Sequence, residues 1–375
     1  MHHVEYEECY ITLLNEEEIL NPFLVLDEMF AGIASAESLS DELYEIFNIG
    51  IRRNHWIKYE SPFILYRKYK RLVRLIETGW VLAKIRPDNS THEKFLIPYD
   101  KALKSFPSRI SPDKRVDPNG DPYKILVEVY INGTMDLMIG TLYELLYYGL
   151  DPSCARIPLN FESYHVITVQ NLNLLIHALF NIYSQEKETI LQLDEIKTLS
   201  MELKTFKDRV YMYNYHDDIT HVFRSSPKKK LLDAINISKH VLGTNGFWKL
   251  YGNPANMLHY YHDFLFLLDY FAEHYQEAIY AGADITAPWN YPSEKHLNKI
   301  RSSYKWSKRP WKYLDDRFKE KNIAEWRKHL ESCLEDVLSN KSIFTSFDRD
   351  YTSLFDFLTM LVEFVEIRQY EPAIE

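Results

Sequence analysis

Along most of the chain the apolar positions recur at helical spacing. Within Phe63–Ile85, the residues Ile64, Leu65, Leu72, Leu75, Ile76 and Leu82 fall near one stripe. Ser61 and Pro62 supply a cap and a first-turn residue, and Pro87 marks the end. From Thr134 onward the same period predicts helices over Met135–Tyr148, Val169–Glu186, Leu191–Tyr215, Lys229–Leu242, Asn256–Ala281, Asn322–Ser339 and Tyr351–Arg368. Three short runs read as strands instead. Val4–Thr12 alternates, Phe95–Ile97 is a brief apolar run, and Ile125–Ile131 is rich in β-branched residues and stops at Asn132-Gly133. The expected fold is mainly α, a multi-helix bundle-like core with a small N-terminal α+β portion.

Six prolines between Pro87 and Pro122, with the turn signal Asp117-Pro118-Asn119-Gly120-Asp121, place the expected domain boundary. Residues 1–123 then form an acidic arm, a basic helix and a Pro-rich connection, and residues 124–375 form a helical domain. No fixed-period repeat is present, so a solenoid is not expected.

Composition narrows the class. The chain has 375 residues, 46% hydrophobic and 15% aromatic with 28 Tyr, too apolar for a disordered protein. Its 11 Gly disfavour folds built on many tight turns. The three cysteines, Cys9, Cys154 and Cys333, are far apart and form no Cys-x-x-Cys, which fits a reducing compartment without a disulfide framework. No Lys or Arg precedes Arg52, and no uninterrupted run reaches the ~18 apolar residues of a membrane span. The expectation is a cytoplasmic protein with no membrane partner.

The net charge of −10 conceals an asymmetry. Residues 1–51 hold 12 acids and no base, whereas residues 52–74 hold eight bases against Glu60. Two helical faces packed on each other explain this simply; an acidic arm covering a basic surface is the sharper explanation.

Three constellations could carry chemistry. On the predicted helix 256–281, His259-x-x-His262-Asp263 offers two imidazoles and a carboxylate, a candidate metal site for a hydrolase. His259, His262, Asp263, Tyr270, Glu273, His274 and Glu277 share the face opposite the apolar stripe, so solvent exposure is the simpler expectation. Arg209 and His216 are separated by six residues within Asp208-Arg209-Val210-Tyr211-Met212-Tyr213-Asn214-Tyr215-His216. Arg pairs a phosphate bidentately and His moves protons near neutral pH. The pair resembles the Arg-x4–6-His pattern of HEPN-type helical ribonucleases, although Val210 stands where that pattern usually has a polar residue. The resemblance implies metal-independent RNA cleavage with Arg209 and His216 near a dimer interface.

The third constellation is residues 295–328, with twelve cations against four carboxylates. Its centre, Tyr304-Lys305-Trp306-Ser307-Lys308-Arg309-Pro310-Trp311-Lys312-Tyr313, interleaves charges and rings, as single-stranded nucleic acid requires for phosphate contact and base stacking. Tyr304, Lys305, Trp306, Lys308, Arg309, Trp311 and Lys312 are the candidate contacts. No P-loop, Gly-x-Ser-x-Gly elbow or EF-hand loop occurs. The leading expectation is a binding or regulatory protein that contacts nucleic acid, single-stranded or RNA, or else an acidic protein partner or a second copy. No cofactor is expected.

Overall fold

The computed structural model describes residues 13–31, 36–51, 56–59, 61–85, 121–152, 161–186, 226–280, 282, 310–339 and 351–368. The fold is mainly α: the described residues are 87% helical and contain no strand. The chain divides into two compact units, Met1–Tyr59 with Ile64–Asp208, and Glu60–Phe63 with Arg209–Glu375.

The first unit contains α1 (Glu16–Leu20), α2 (Phe23–Phe30), α3 (Ala36–Ile51), a 3-10 turn at Trp56–Lys58, α4 (Phe63–Ile85), α5 (Pro122–Asn132), α6 (Met135–Leu150) and α7 (Phe161–Glu186). Polar caps set several starts. Asn15 and Glu18 form a reciprocal capping box on α1, and Thr134 accepts from the Leu137 amide at the start of α6. Helix α3 packs on α6 and α7, and α5 packs on α7. The α3–α6 approach is close enough that a Cβ at Gly50 would lie 3.0 Å from the Leu145 carbonyl oxygen.

The small α+β portion is not found. Ile125–Ile131, expected as a strand, lies within α5. Asp121 accepts from the Tyr123 amide and Pro122 occupies the first turn, so a helix start is encoded just upstream. Tyr123, Leu126 and Val129 are buried, a three-residue spacing that only a helix puts on one face. Burial of that face outweighs the modest β preference of Ile125, Val127 and Val129. The other two expected strands, Val4–Thr12 and Phe95–Ile97, lie outside the described residues, as does the expected helix Leu191–Tyr215.

Four of the acids and three of the bases of this asymmetry meet inside the unit. Arg74 of α4 forks between Glu18 of α1 at 2.6 Å and Glu28 of α2 at 2.9 Å. Arg71 pairs with Glu42 of α3 at 2.5 Å, and Lys68 pairs with Glu45, which also accepts from the Tyr59 hydroxyl. Glu77 of α4 is fully buried, and its carboxylate accepts the Leu13 and Leu14 amides at 2.9 and 3.1 Å. Acidic α1–α3 and basic α4 are thus complementary faces of one packed unit.

Helix α7 is long and apolar enough over His165–Gln185 to cross a membrane by length and composition, with 56% of that window buried inside the structure. Leu172, Leu175, Ile176, Leu179 and Ile182 line the core there. The polar Asn173 and His177 interrupt that apolar stretch, and Asn173 is buried.

The second unit contains α8 (Lys228–Leu242), the single-turn α9 (Phe247–Leu250), α10 (Pro254–Tyr280), α11 (Pro310–Glu320), α12 (Ile323–Ser339) and α13 (Thr352–Arg368). Helix α10 packs on α11, α12 and α13, and α8 packs on α12 and α13. Phe264, Leu267, Leu268 and Phe271 of α10, Trp326 of α12 and Phe357 and Phe364 of α13 build the core. Phe271 meets Phe364 edge-on at 5.9 Å, and Trp326 lies 4.7 Å from Phe357.

Candidate functional site

The periodicity of α10 puts His259 and His262 on its outer side, and the structure leaves His259 42% exposed and His262 exposed. Asp263 departs from the wet face expected for it: it is only 6% exposed. A buried carboxylate needs a partner, and Asp263 Oδ2 lies 3.7 Å from His259 Nε2 one turn back. The same Nε2 lies 3.2 Å from Oγ of Ser226, a fully buried residue just ahead of α8.

This Ser226–His259–Asp263 group has the residue types of a nucleophilic triad without its wiring. A relay requires the serine on one ring nitrogen and the carboxylate on the other. Here both converge on Nε2. The arrangement ties the entry of α8 to α10, and no local pattern points to Ser226 because the contact spans 33 positions.

His262 is exposed on the next turn position. It keeps solvent access, yet the protein packed around its ring pushes its pKa below the ordinary imidazole value, with Asp263 opposing and His259 reinforcing that shift. Among the described residues no group of three or more His, Cys, Asp or Glu side chains is placed to hold a metal ion. His259, His262 and Asp263 therefore stand close in sequence without converging on one point. One residue in from the surface and one out is what a three- and four-residue spacing yields at the edge of a buried stripe.

Two turns further on, Asp269 is buried at 2% exposure and its Oδ1 accepts from Arg327 Nε of α12 at 2.7 Å. Burial pushes the Asp269 carboxyl up to about 6, against the opposing pull of Arg327 and with a small push from Glu273.

Of the basic aromatic candidates, Tyr304, Lys305, Trp306, Lys308 and Arg309 lie outside the described residues, and so do Arg209 and His216. Trp311 and Lys312 open α11, with Trp311 half-buried and Lys312 exposed. Downstream, four of the segment's five cations are occupied within their unit, and Lys328 is exposed. Lys319 pairs with Asp315 at 2.7 Å, Arg317 with Glu320 at 2.7 Å and Arg327 with Asp269. Lys321 lies over the Trp326 ring at 4.6 Å. Trp326 is fully buried, and its indole N–H donates to the Arg317 carbonyl at 3.0 Å.

In comparisons with known proteins, no family model, no curated protein and no solved structure matches this chain.

Proposed function

We propose that the protein is a binding or regulatory protein that contacts a single-stranded polyanion, RNA in the first instance, through residues 304–312. The observation that carries this reading is the charge distribution of the basic segment. Residues 295–314 contain seven cations, Lys295, Lys299, Arg301, Lys305, Lys308, Arg309 and Lys312, and no carboxylate. Arg317, Lys319 and Arg327 are paired within their unit, which leaves the carboxylate-free stretch 295–314 as the strongest candidate for the contact. Lys312 is exposed and has no carboxylate at ion-pair distance among the described residues. Tyr304, Trp306 and Trp311 supply ring faces between those charges.

Filter binding of single-stranded RNA to the full chain tests it. Replacing Lys305, Lys308, Arg309 and Lys312 by Ala removes four phosphate contacts and lowers the slope of log affinity against log salt by about 3. Trp306→Ala weakens binding by about tenfold at every salt concentration, through lost stacking. Unchanged affinity and slope in the quadruple variant defeat the proposal.

A further inference from the structure

Between α8 and α10 the chain makes a short knuckle, Gly243-Thr244-Asn245-Gly246-Phe247-Trp248-Lys249-Leu250-Tyr251-Gly252, whose only helix is the single turn α9. Its inner half is anchored. Phe247 and Trp248 are 8% and 4% exposed, and the Trp248 indole N–H donates to the Val337 carbonyl of α12 at 2.7 Å. Its outer half is the reverse, with Leu250 71% and Tyr251 61% exposed. Left-handed backbone at Gly246 and Gly252, with φ of 70° and 79°, turns the chain sharply on both sides. At Gly252 a Cβ would also meet the Trp248 ring at 3.1 Å, so the turn and the anchor fix each other. Two large apolar side chains are thus held outward on a rigid base.

The chain on both sides of the knuckle carries cations and no carboxylate. No Asp or Glu occurs in residues 234–262, while Lys239 and Lys249 are exposed and the exposed His240 ring packs edge-on against Phe247 at 5.7 Å. On α12, Asp336 beside the anchor accepts from the Tyr351 hydroxyl at 2.7 Å.

We infer that this knuckle is a peripheral docking wedge for a bilayer surface rich in anionic headgroups, with Leu250 and Tyr251 entering the interface and Lys239 and Lys249 meeting the headgroup charge. Two side chains fall far short of the ~800 Å² that each partner contributes to a standard protein interface. A bilayer interface deforms around a small wedge, seats an aromatic ring at headgroup depth and adds about 1 kcal/mol per nearby Lys. The binding is weak and reversible, as for other single anchors. A contact of this kind needs no spanning helix.

Co-sedimentation of the full chain with vesicles of phosphatidylcholine and phosphatidylserine tests the wedge, with pure phosphatidylcholine vesicles as the reference. Binding is expected to the mixed vesicles, lowered about tenfold or more by Leu250→Asp with Tyr251→Asp and about fivefold by Lys249→Glu. Both sites are exposed, and an unchanged circular dichroism spectrum verifies folding. The variant lacking Lys305, Lys308 and Arg309 separates this site from the polyanion segment, and it should still bind. No binding to the mixed vesicles, binding untouched by the Leu250 and Tyr251 changes, or binding lost only in the segment variant overturns the inference. The first of these outcomes assigns the knuckle to a protein partner instead.

Discussion

Single residues in this protein act mainly as pegs between helices. The abundance of Tyr in the sequence is compatible with an interface, but several hydroxyls are committed inside their own unit. Tyr130 donates to the Ile76 carbonyl at 2.5 Å, Tyr183 to Asp27 at 2.8 Å and Tyr275 to Asp315 at 2.5 Å. Each ring buries apolar area while its hydroxyl satisfies a polar group, which a Phe cannot do. Glu77 is the most consequential such peg, because two backbone amides have their partner in its carboxylate. Glu77→Ala should cost about 3 kcal/mol by leaving buried donors unmet, whereas Glu77→Gln retains an acceptor and costs less. Hydrogen exchange reads this directly: the Leu13 and Leu14 amides should lose protection in the Ala variant and keep most of it in the Gln variant.

At the scale of elements, helices were the legible part of the sequence. The apolar stripe gave α4 over Phe63–Ile85 with the bounds observed, and α6, α8, α10, α12 and α13 within two residues at each end. The same stripe puts the start of α7 eight residues late, at Val169, whereas the helix begins at Phe161. The stretch 161–168 carries Glu162, Ser163, His165 and Thr168, and His165 and Thr168 are nevertheless buried, with His165 satisfied by Glu144 of α6 at 2.8 Å. Period-counting over apolar letters misses a buried polar residue whose partner is on another helix. The acidic-to-basic switch was legible as charge but not as contact. Its test is Arg74, which links α1 and α2 to α4. Arg74→Ala should lower the melting temperature of the first unit clearly more than Arg67→Ala, since Arg67 is exposed and Arg74 serves two carboxylates. Arg74→Lys should recover only part of the loss, because an ammonium lacks the fork.

For the molecule as a whole, pH acts through carboxylates of opposite sign. The Arg74 guanidinium holds Glu28 below the usual carboxylate range, so its share of stability is present above the unfolded value and is lost as pH falls through the folded one. Asp269 behaves oppositely. Its folded pKa of about 6 exceeds the ordinary 3.8, so the folded state binds the proton more tightly, and stability from this group is full below pH 4 and falls as pH rises through 6. At about 1.4 kcal/mol per pH unit the change amounts to at most about 3 kcal/mol. Asp269→Asn should flatten the stability profile of the second unit between pH 4 and 6, whatever its offset from lost Arg327 pairing. Chemical denaturation at pH 4.5 and 7 checks this, and an unchanged difference between the two pH values would rule it out.

The sequence by itself determined the class, mainly α, and the position of most of the longer helices, because helix spacing and caps are local properties readable over a few turns. It also located the basic aromatic run and the acidic first fifty residues, since charge is additive along a chain. Only the tertiary structure decided which of those charges are spent. Arg74 neutralises Glu18 and Glu28, Arg327 pairs with a buried Asp269, and His259 turns to Ser226 and Asp263 without gathering His262. It also turned the β-rich letters of Ile125–Ile131 into a helix, and it held Leu250 and Tyr251 outward on a buried Trp248. These outcomes share one reason. Each is fixed by burial against residues tens of positions away, and no pattern within one helix carries that information.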